Sequence, residues 1–321
     1  MKLIRTSIIW QLAILLVLTA CAPEKAIPTS MPEADKSRYI ADVEFIAQAP
    51  RTSIDTHHQA VQDLCAERLT GLGYEVERSE FRDGVNVIGT LRGTTRPEEI
   101  VIVSAHYDTI PNSNGADDNA SGVAAVLETA RLLTDREHAR TLKIACWDQE
   151  EPALYGSYVY ANHEKENNTD IKVVYVYDEI GIRNENPKSQ HFPSGLEAFY
   201  PTEVKKLKAN QYRANFVLLV FDQKSRPWAQ AIAEQADKVG LPFIQMEVDL
   251  DTEVSTKVKG SDHASFWAEG YSAIEINDTS GYRNPFKHTK MDTIDKLDHD
   301  FAVKIISTVV ASVRIALGDF E

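Results

Sequence analysis

The residues best suited to chemistry lie in one stretch, where a histidine and several aspartates follow an apolar run. Residues 100–105 form an apolar, β-branched run typical of a strand buried on both faces. His106 and Asp108 come directly after it, and Asp117 and Asp118 lie in the loop before the next helical pattern. Imidazole nitrogen and carboxylate oxygen without thiolate suit zinc, and also manganese or cobalt. The stretch therefore predicts a cation site.

Further acids follow other apolar runs, again where each predicted strand ends. Residues 141–147 precede Glu150 and Glu151, residues 171–177 precede Asp178, and residues 215–221 precede Asp222. Because the carboxyl ends of parallel strands meet at one edge of a sheet, we expect these acids to lie beside His106. Crowded carboxylates repel one another and raise one another's pKa unless cations neutralise them. A metal ion is the simplest way to supply those cations.

A second histidine lies far along the chain, in an irregular segment before the last predicted helix. It is His288, which is followed by Asp292. A lone histidine in such a segment is most often a surface residue. Together with the acids above, however, it completes a set of histidines and carboxylates, and we include it among the candidate ligands.

The order of the predicted elements is that of an α/β domain. Apolar runs with the length of buried strands alternate with helical patterns. Helices are predicted at residues 38–49, 56–72, 121–133, 227–239 and 300–317, and further strands at residues 75–81, 86–91 and 272–276. The 321 residues, of which 43% are hydrophobic, can bury one large core. We therefore predict a single α/β domain over residues 38–321. Its mostly parallel mixed central sheet is flanked by helices, with the metal site at the carboxyl ends of the strands.

The start of the chain predicts a processed segment rather than part of the fold. Lys2 and Arg5 precede an apolar stretch that is short for a membrane-spanning helix. Leu-Thr-Ala-Cys at residues 18–21 then resembles the bacterial lipobox, in which the signal is cut before a cysteine that carries lipid. We predict a lipoprotein signal peptide at residues 1–20, lipid on Cys21 and a tether at residues 21–37. A plain signal anchor is the alternative.

The charge of the chain argues against nucleic acid as a partner. Its 48 acids outnumber its 34 lysines and arginines, which gives a formal net charge of −14. Proteins that bind phosphate backbones present basic surfaces instead. Most of these acids are expected on the solvated surface.

Six separated motifs together carry a resemblance to a known family. They are HYD at residues 106–108, GADDNASG at 115–122, Glu150-Glu151 followed by Gly156-Ser157, Asp178, SDHASF at 261–266, and HTKMDT at 288–293. Each motif alone is weak, but their order and spacing resemble the family M28 zinc aminopeptidases.

The resemblance implies a site with two zinc ions. It makes Asp118 a bridge between the ions, with His106 and Asp178 on one and Glu151 and His288 on the other. A bridging carboxylate holds two ions about 3.5–4 Å apart, a separation at which they share an attacking water and a carbonyl oxygen.

Other residues of the motifs are expected to assist. Asp108 is expected to accept a hydrogen bond from His106 and so to fix the orientation of its imidazole. Asp117 and Asp292 are expected to support the site rather than bind metal. For the pair Asp262 and His263, we expect Asp262 to contact substrate and His263 either to stabilise an oxyanion or to pack. Consecutive Ser, Asp and His residues do not by themselves form a triad.

Glu150 is the predicted general base. Adjacent side chains point in different directions, so Glu151 can bind metal while Glu150 faces the attacking water. The alternative is that both are acids at a helix N-terminus, favoured there by the macrodipole. The other motifs favour the catalytic interpretation.

Glu179 is one of the departures from the pattern of the family. Asp178 is followed by Glu179, where an apolar residue such as methionine is usual. This places an extra carboxylate near one metal position, and its role stays open.

The predicted function is aminopeptidase hydrolysis of peptides with a free N-terminus, in the bacterial cell envelope. The lipid on Cys21 would attach the enzyme to a membrane, facing the periplasm or the exterior. Two alternatives remain: a glutaminyl cyclase of the same fold, which uses one zinc ion, or a non-catalytic lipid-anchored binding module. Retention of every ligand and of the base argues against the module.

Overall fold

The computed structural model describes residues 31–252 and 259–319. The predicted signal peptide, Cys21 and the first part of the predicted tether lie outside these residues. Within the described ranges, no helix is long and apolar enough to cross a membrane.

An eight-stranded sheet forms the centre of the domain. Its strands are β1 (Glu75–Phe81), β2 (Gly84–Leu91), β3 (Arg96–His106), β4 (Arg140–Trp147), β5 (Asp170–Tyr177), β6 (Val217–Asp222), β7 (Phe243–Val248) and β8 (Ala273–Asn277). Their order across the sheet is β1-β2-β4-β3-β5-β8-β6-β7. The neighbouring strands β4, β3, β5 and β8 are parallel, which forms the predicted parallel centre. The β1–β2, β2–β4 and β8–β6 pairs are antiparallel, and β7 is parallel to β6.

Helices cover both faces of this sheet. They are α1 (Lys36–Ile46), α2 (Thr56–Gly71), α3 (Gly122–Leu132), α4 (Glu150–Ala153), α5 (Tyr155–Glu166), α6 (Leu196–Phe199), α7 (Pro201–Ala209), α8 (Arg226–Val239), α9 (His263–Ala268) and α10 (His299–Ala316). Side chains of β3 alternate between two cores, because successive residues of a strand point to opposite faces. Val101 and Val103 pack with α1, α2, α3, α8 and α10, whereas Ile100 and Ile102 pack with α5, α7 and α9. The central strand is therefore apolar throughout, as its sequence predicted.

The long, strongly patterned elements match the predictions closely. β1 has the predicted bounds, and the other predicted strands and helices agree within a few residues. The folded domain begins before residue 38, the predicted start. Asp35 caps the N-terminus of α1, and its backbone N–H donates a hydrogen bond to Glu128 Oε1 at 2.7 Å. The last residues assigned to the tether therefore belong to the domain. Cys65 and Cys146 are buried free thiols.

The prediction for Asp222 is wrong. β6 runs antiparallel to β8, so its carboxyl end lies at the opposite edge of the sheet from His106. Asp222 instead accepts hydrogen bonds from the Ser225 backbone N–H at 3.0 Å and from the Ser225 hydroxyl. An apolar run predicts a buried strand but contains no information about its direction.

Several elements were not predicted. Residues 183–214 match no regular pattern, yet they contain α6 and α7, and β7, α5 and α9 were also missed. Most of these are short and only partly buried, so their apolar periodicity is weak.

Candidate metal centre

Three parallel strands and two loops deliver the predicted ligands to one place. His106 is the last residue of β3, Glu150 and Glu151 begin α4 just after β4, and Asp178 directly follows β5. Asp118 comes from the loop after β3, and His288 comes from the loop before α10. The crevice at the carboxyl ends of these strands is where open α/β sheets bind ligands.

Asp118 lies between the two histidines. Its Oδ1 is 3.3 Å from His106 Nε2, and its Oδ2 is 3.0 Å from His288 Nε2. The carboxylate is buried, with 3% of its side chain exposed. One residue therefore presents its two oxygens to two separate imidazoles.

Each histidine also faces further carboxylates. Asp178 Oδ1 is 3.5 Å from His106 Nε2, and Glu151 Oε2 is 3.1 Å from His288 Nε2. Glu150 Oε2 lies farther from His106 Nε2, at 3.9 Å. Candidate ligand atoms lie within 4.8 Å of one another in the sets His106–Glu150–Asp178 and Asp118–Glu151–His288.

The residues fit divalent metal ions. Within the described ranges, Asp178 Oδ1 and Glu151 Oε1 are buried and accept no hydrogen bond. Buried carboxylate oxygens without partners are costly, and coordinating a cation removes that cost. The donor set of imidazole and carboxylate without thiolate suits zinc.

The pKa values of the site residues reflect this crowding. Burial raises the pKa of Glu150 well above its usual value; nearby His106 opposes the rise, and Asp178 adds to it. Burial opposes the charged form of His106, but Glu150 and the other carboxylates outweigh it and raise the pKa of the imidazole. Hydrogen bonds to Asp118 and Glu151 raise the pKa of His288 to about 10.

Asp108 fixes the peptide segment that carries both glutamates. Its Oδ1 accepts the Glu150 N–H at 3.0 Å, and its Oδ2 accepts the Glu151 N–H at 3.1 Å. Oδ1 is also 3.5 Å from His106 Nδ1. Both glutamates do begin a helix, the four-residue α4, and Asp108 accepts its first two N–H groups.

Asp292 fixes the loop that carries Asp118, again by accepting backbone N–H groups with both carboxylate oxygens. Its two oxygens accept the N–H groups of Asp117 at 3.0 Å and Asp118 at 3.1 Å. The Asp117 carboxylate accepts the Gly181 N–H and the side-chain amide of Asn284, each at 2.9 Å. These contacts agree with supporting positions for Asp117 and Asp292.

Asp262 and His263 lie at the start of α9, and both are fully buried. Burial raises the pKa of Asp262 to about 7, with an opposing effect from His106. His263 Nδ1 is 3.4 Å from Glu275 Oε2, and its ring packs edge-on against Trp267. Of the two roles expected for His263, packing is the one that these contacts favour.

Arg51 is a structural support of the site that the sequence did not indicate. Its buried guanidinium donates hydrogen bonds to the backbone carbonyls of Ile46, Tyr107, Asn114 and Gly115, at 3.0, 2.7, 2.6 and 3.0 Å. It thereby fixes both ends of the loop between His106 and Asp118. Arg51 belongs to no motif, and local sequence contains no signal for contacts over this chain distance.

The extra carboxylate of Glu179 has a counter-ion that was also missed. Lys287 Nζ lies 2.6 Å from Glu179 Oε2 and 3.2 Å from Asp118 Oδ2. Glu179 is buried, and a quarter of the Lys287 side chain is exposed. Glu179, the residue that departs from the family pattern, therefore forms an ion pair with Lys287 beside the candidate metal centre.

Comparison with known proteins identifies the family. A sequence model of Peptidase family M28 matches residues 86–313. Aminopeptidase YwaD of Bacillus subtilis is 38% identical over 237 residues, and a probable zinc metalloprotease of Pyricularia oryzae is 27% identical over 319 residues. The matches cover 72% and 88% of this chain but 44% and 62% of those relatives, so the chain spans less than two thirds of either.

Solved structures share the fold. An aminopeptidase from Aneurinibacillus sp. strain AM-1 matches with a TM-score of 0.65 at 16% identity, over 88% of this chain and 93% of that one. Bacteroides thetaiotaomicron glutaminyl cyclase matches with a TM-score of 0.62 at 18% identity, over 88% and 98% of the two chains. The match of the family model over most of the chain shows that this protein belongs to Peptidase family M28.

Proposed function

We propose that this protein is an aminopeptidase that uses two zinc ions to hydrolyse the first peptide bond of peptides with a free N-terminus. The observation that carries the proposal is the position of Asp118, whose two oxygens face His106 at 3.3 Å and His288 at 3.0 Å. A carboxylate in this position can bind one metal ion with each of its oxygens and so bridge the two ions. The names of the relatives, an aminopeptidase and a zinc metalloprotease, support the same activity.

In this proposal the two ions share Asp118. His106 and Asp178 complete one set of ligands, and Glu151 and His288 complete the other. We favour Asp118 over Glu150 in the first set because its oxygen is closer to His106 Nε2, at 3.3 Å against 3.9 Å. When bound, zinc lowers the pKa of water and polarises the carbonyl of the scissile bond.

Glu150 is then free to move the proton. Its carboxylate takes a proton from the attacking water as the new carbon–oxygen bond forms, and gives it to the amine nitrogen as the carbon–nitrogen bond breaks. Burial holds its pKa above the usual value, which strengthens it as a proton acceptor. Asp108 fixes its position through the Glu150 N–H.

The surplus of carboxylates explains a preference for free N-termini. Burial and the nearby charge of Asp178 both raise the pKa of Glu150 and that of Asp262. The α-ammonium of a substrate is a cation that such a site attracts, whereas an acylated N-terminus is neutral. We therefore expect removal of one residue at a time.

The test is metal content measured together with activity on the purified protein. We expect two equivalents of zinc and chelator-sensitive release of the first residue from aminoacyl-anilides, with N-acetylated anilides as the control that is not cleaved. One equivalent of zinc with cyclisation of an N-terminal glutaminyl peptide would favour the cyclase instead. No metal and no turnover would favour the binding module.

We further propose that the mature protein is held at the bacterial cell envelope by lipid on Cys21, facing the periplasm or the exterior. The lipobox-like sequence at residues 18–21 supports this. The anchoring segment lies outside the described residues.

A further inference from the structure

The ion pair of Lys287 and Glu179 is the feature of the site that the proposed chemistry does not use. Glu179 adds a carboxylate beside Asp118 and Asp178, and one oxygen from each of the three lies within 4.8 Å of the others. The Lys287 ammonium contacts two of these acids, at 2.6 Å and 3.2 Å. A cation supplied by the chain thus lies among acids that could otherwise hold metal.

The backbone fixes Glu179 in this position. Its φ of 56° lies in the left-handed region, which glutamate rarely adopts. Its N–H donates to Asn119 Oδ1 at 3.2 Å, and its carbonyl accepts the Asp278 N–H at 2.7 Å. These contacts fix the direction in which the side chain leaves the backbone, and the side chain is buried, with 1% of it exposed.

We propose that Lys287 and Glu179 are positioning residues with opposite effects on the affinity of the site for zinc. This inference rests on the metal centre proposed above. Lys287 competes with metal for Asp118 Oδ2, and its positive charge repels a nearby dication. Glu179 draws the ammonium to itself and cancels its charge, so the pair adds no net charge to the site.

The experiment measures zinc affinity by competition with a chromogenic chelator. Lys287→Met removes the positive charge and is expected to tighten zinc binding about tenfold or more, because charges within a few ångströms in a partly buried site interact strongly. Glu179→Gln leaves Lys287 with Asp118 alone and is expected to weaken binding by a similar factor. The double variant and Lys287→Arg should bind about as tightly as the wild type.

A matched pair elsewhere provides the control. Lys208 and Glu197 form an ion pair of the same length, 2.6 Å, with both side chains exposed on α7 and α6. Lys208→Met and Glu197→Gln make the same changes in charge and should leave zinc affinity unchanged. Urea unfolding of the metal-free variants checks that each one folds.

The signs of the two effects decide the outcome. Weaker binding in both single variants would show a packing role only, and unchanged binding in both would show no role; either result overturns the inference. Should Lys287→Met fail to fold, a folded Glu179→Gln variant that binds zinc as tightly as the wild type or more tightly also overturns it. A wild type that binds no zinc would instead contradict the proposed function.

Discussion

At the scale of single residues, the proposed mechanism gives two chemical tasks to neighbouring glutamates. Glu150 and Glu151 are adjacent, but Glu151 lies 3.1 Å from His288 while Glu150 lies 3.9 Å from His106. Successive residues of a helix are turned by about 100° from each other, so the two carboxylates face different groups. One can then bind metal while the other carries the proton.

This separation predicts different results for two substitutions. Glu150→Gln should bind as much zinc as the wild type and lower kcat by about 10²–10⁴-fold, because it removes the proposed proton acceptor and no proposed ligand. His288→Ala should lose zinc along with activity. Metal analysis and anilide hydrolysis on the same samples distinguish them. Near-normal turnover by Glu150→Gln would contradict its assignment as the base.

Zinc binding is predicted to depend on pH through His288. In the metal-free protein, hydrogen bonds to Asp118 and Glu151 raise the pKa of His288 to about 10, so the imidazole is protonated at pH 7. Imidazole must lose that proton to bind metal, and zinc affinity should therefore rise as the pH increases toward about 10. Calorimetry in two buffers of different ionisation enthalpy measures the protons released. Zinc binding at pH 7 without release of protons would contradict the prediction.

At the scale of elements, the loops that carry the ligands are fixed by contacts from distant parts of the chain. Asp108 accepts N–H groups at the start of α4, and Asp292 accepts N–H groups in the loop before α3. Arg51, between α1 and α2, bonds to four backbone carbonyls. These contacts hold the loops to the rest of the domain.

Arg51→Met is predicted to destabilise the fold through these carbonyls. Its loss removes a hydrogen-bond donor from four carbonyls, of which that of Asn114 is partly buried and the other three are buried, and we expect the free energy of unfolding to fall by about 3 kcal/mol or more. Lysine should not rescue it, because a single ammonium cannot reproduce the planar fork. Urea unfolding measures the change, with exposed Arg38→Met as the control, expected within about 0.5 kcal/mol. If Arg51→Met lowers the free energy of unfolding by no more than the Arg38→Met control does, the structural role of Arg51 is contradicted.

At the scale of the whole molecule, the parallel centre of the sheet brings together candidate ligands that are far apart in sequence. His106 and His288 approach the same carboxylate although most of the domain lies between them. The sheet direction also removes Asp222 from the site, because β6 is antiparallel to β8. Position in the fold, rather than residue type, decides which acids take part.

Attachment to the envelope is a prediction about the whole chain. Cys21→Ser removes the proposed site of lipid attachment and should move the protein from the membrane fraction to the soluble fraction. Membrane binding of a lipoprotein depends on its acyl chains, so an intact catalytic domain should keep its activity. Fractionation with an activity assay checks both points. Equal solubility of the two forms would contradict anchoring.

Much of the architecture follows from local sequence. The apolar run before His106, the bounds of β1 and the polar loop before α3 are encoded by neighbours in the chain, because alternation, run length and turn residues act over short distances. The candidate ligands can also be identified by residue type, since imidazoles and carboxylates that follow buried strands together indicate a cation.

Tertiary structure decided what depends on direction and on distant partners. The antiparallel course of β6 excluded Asp222, and the fold brought Lys287 onto Glu179 and Arg51 onto the carbonyls around the site. Local sequence cannot specify these contacts, since their partners are separated by tens to more than a hundred residues and meet only when the sheet has formed. The sequence determined which chemical groups are available, and the packed sheet determined which of them meet.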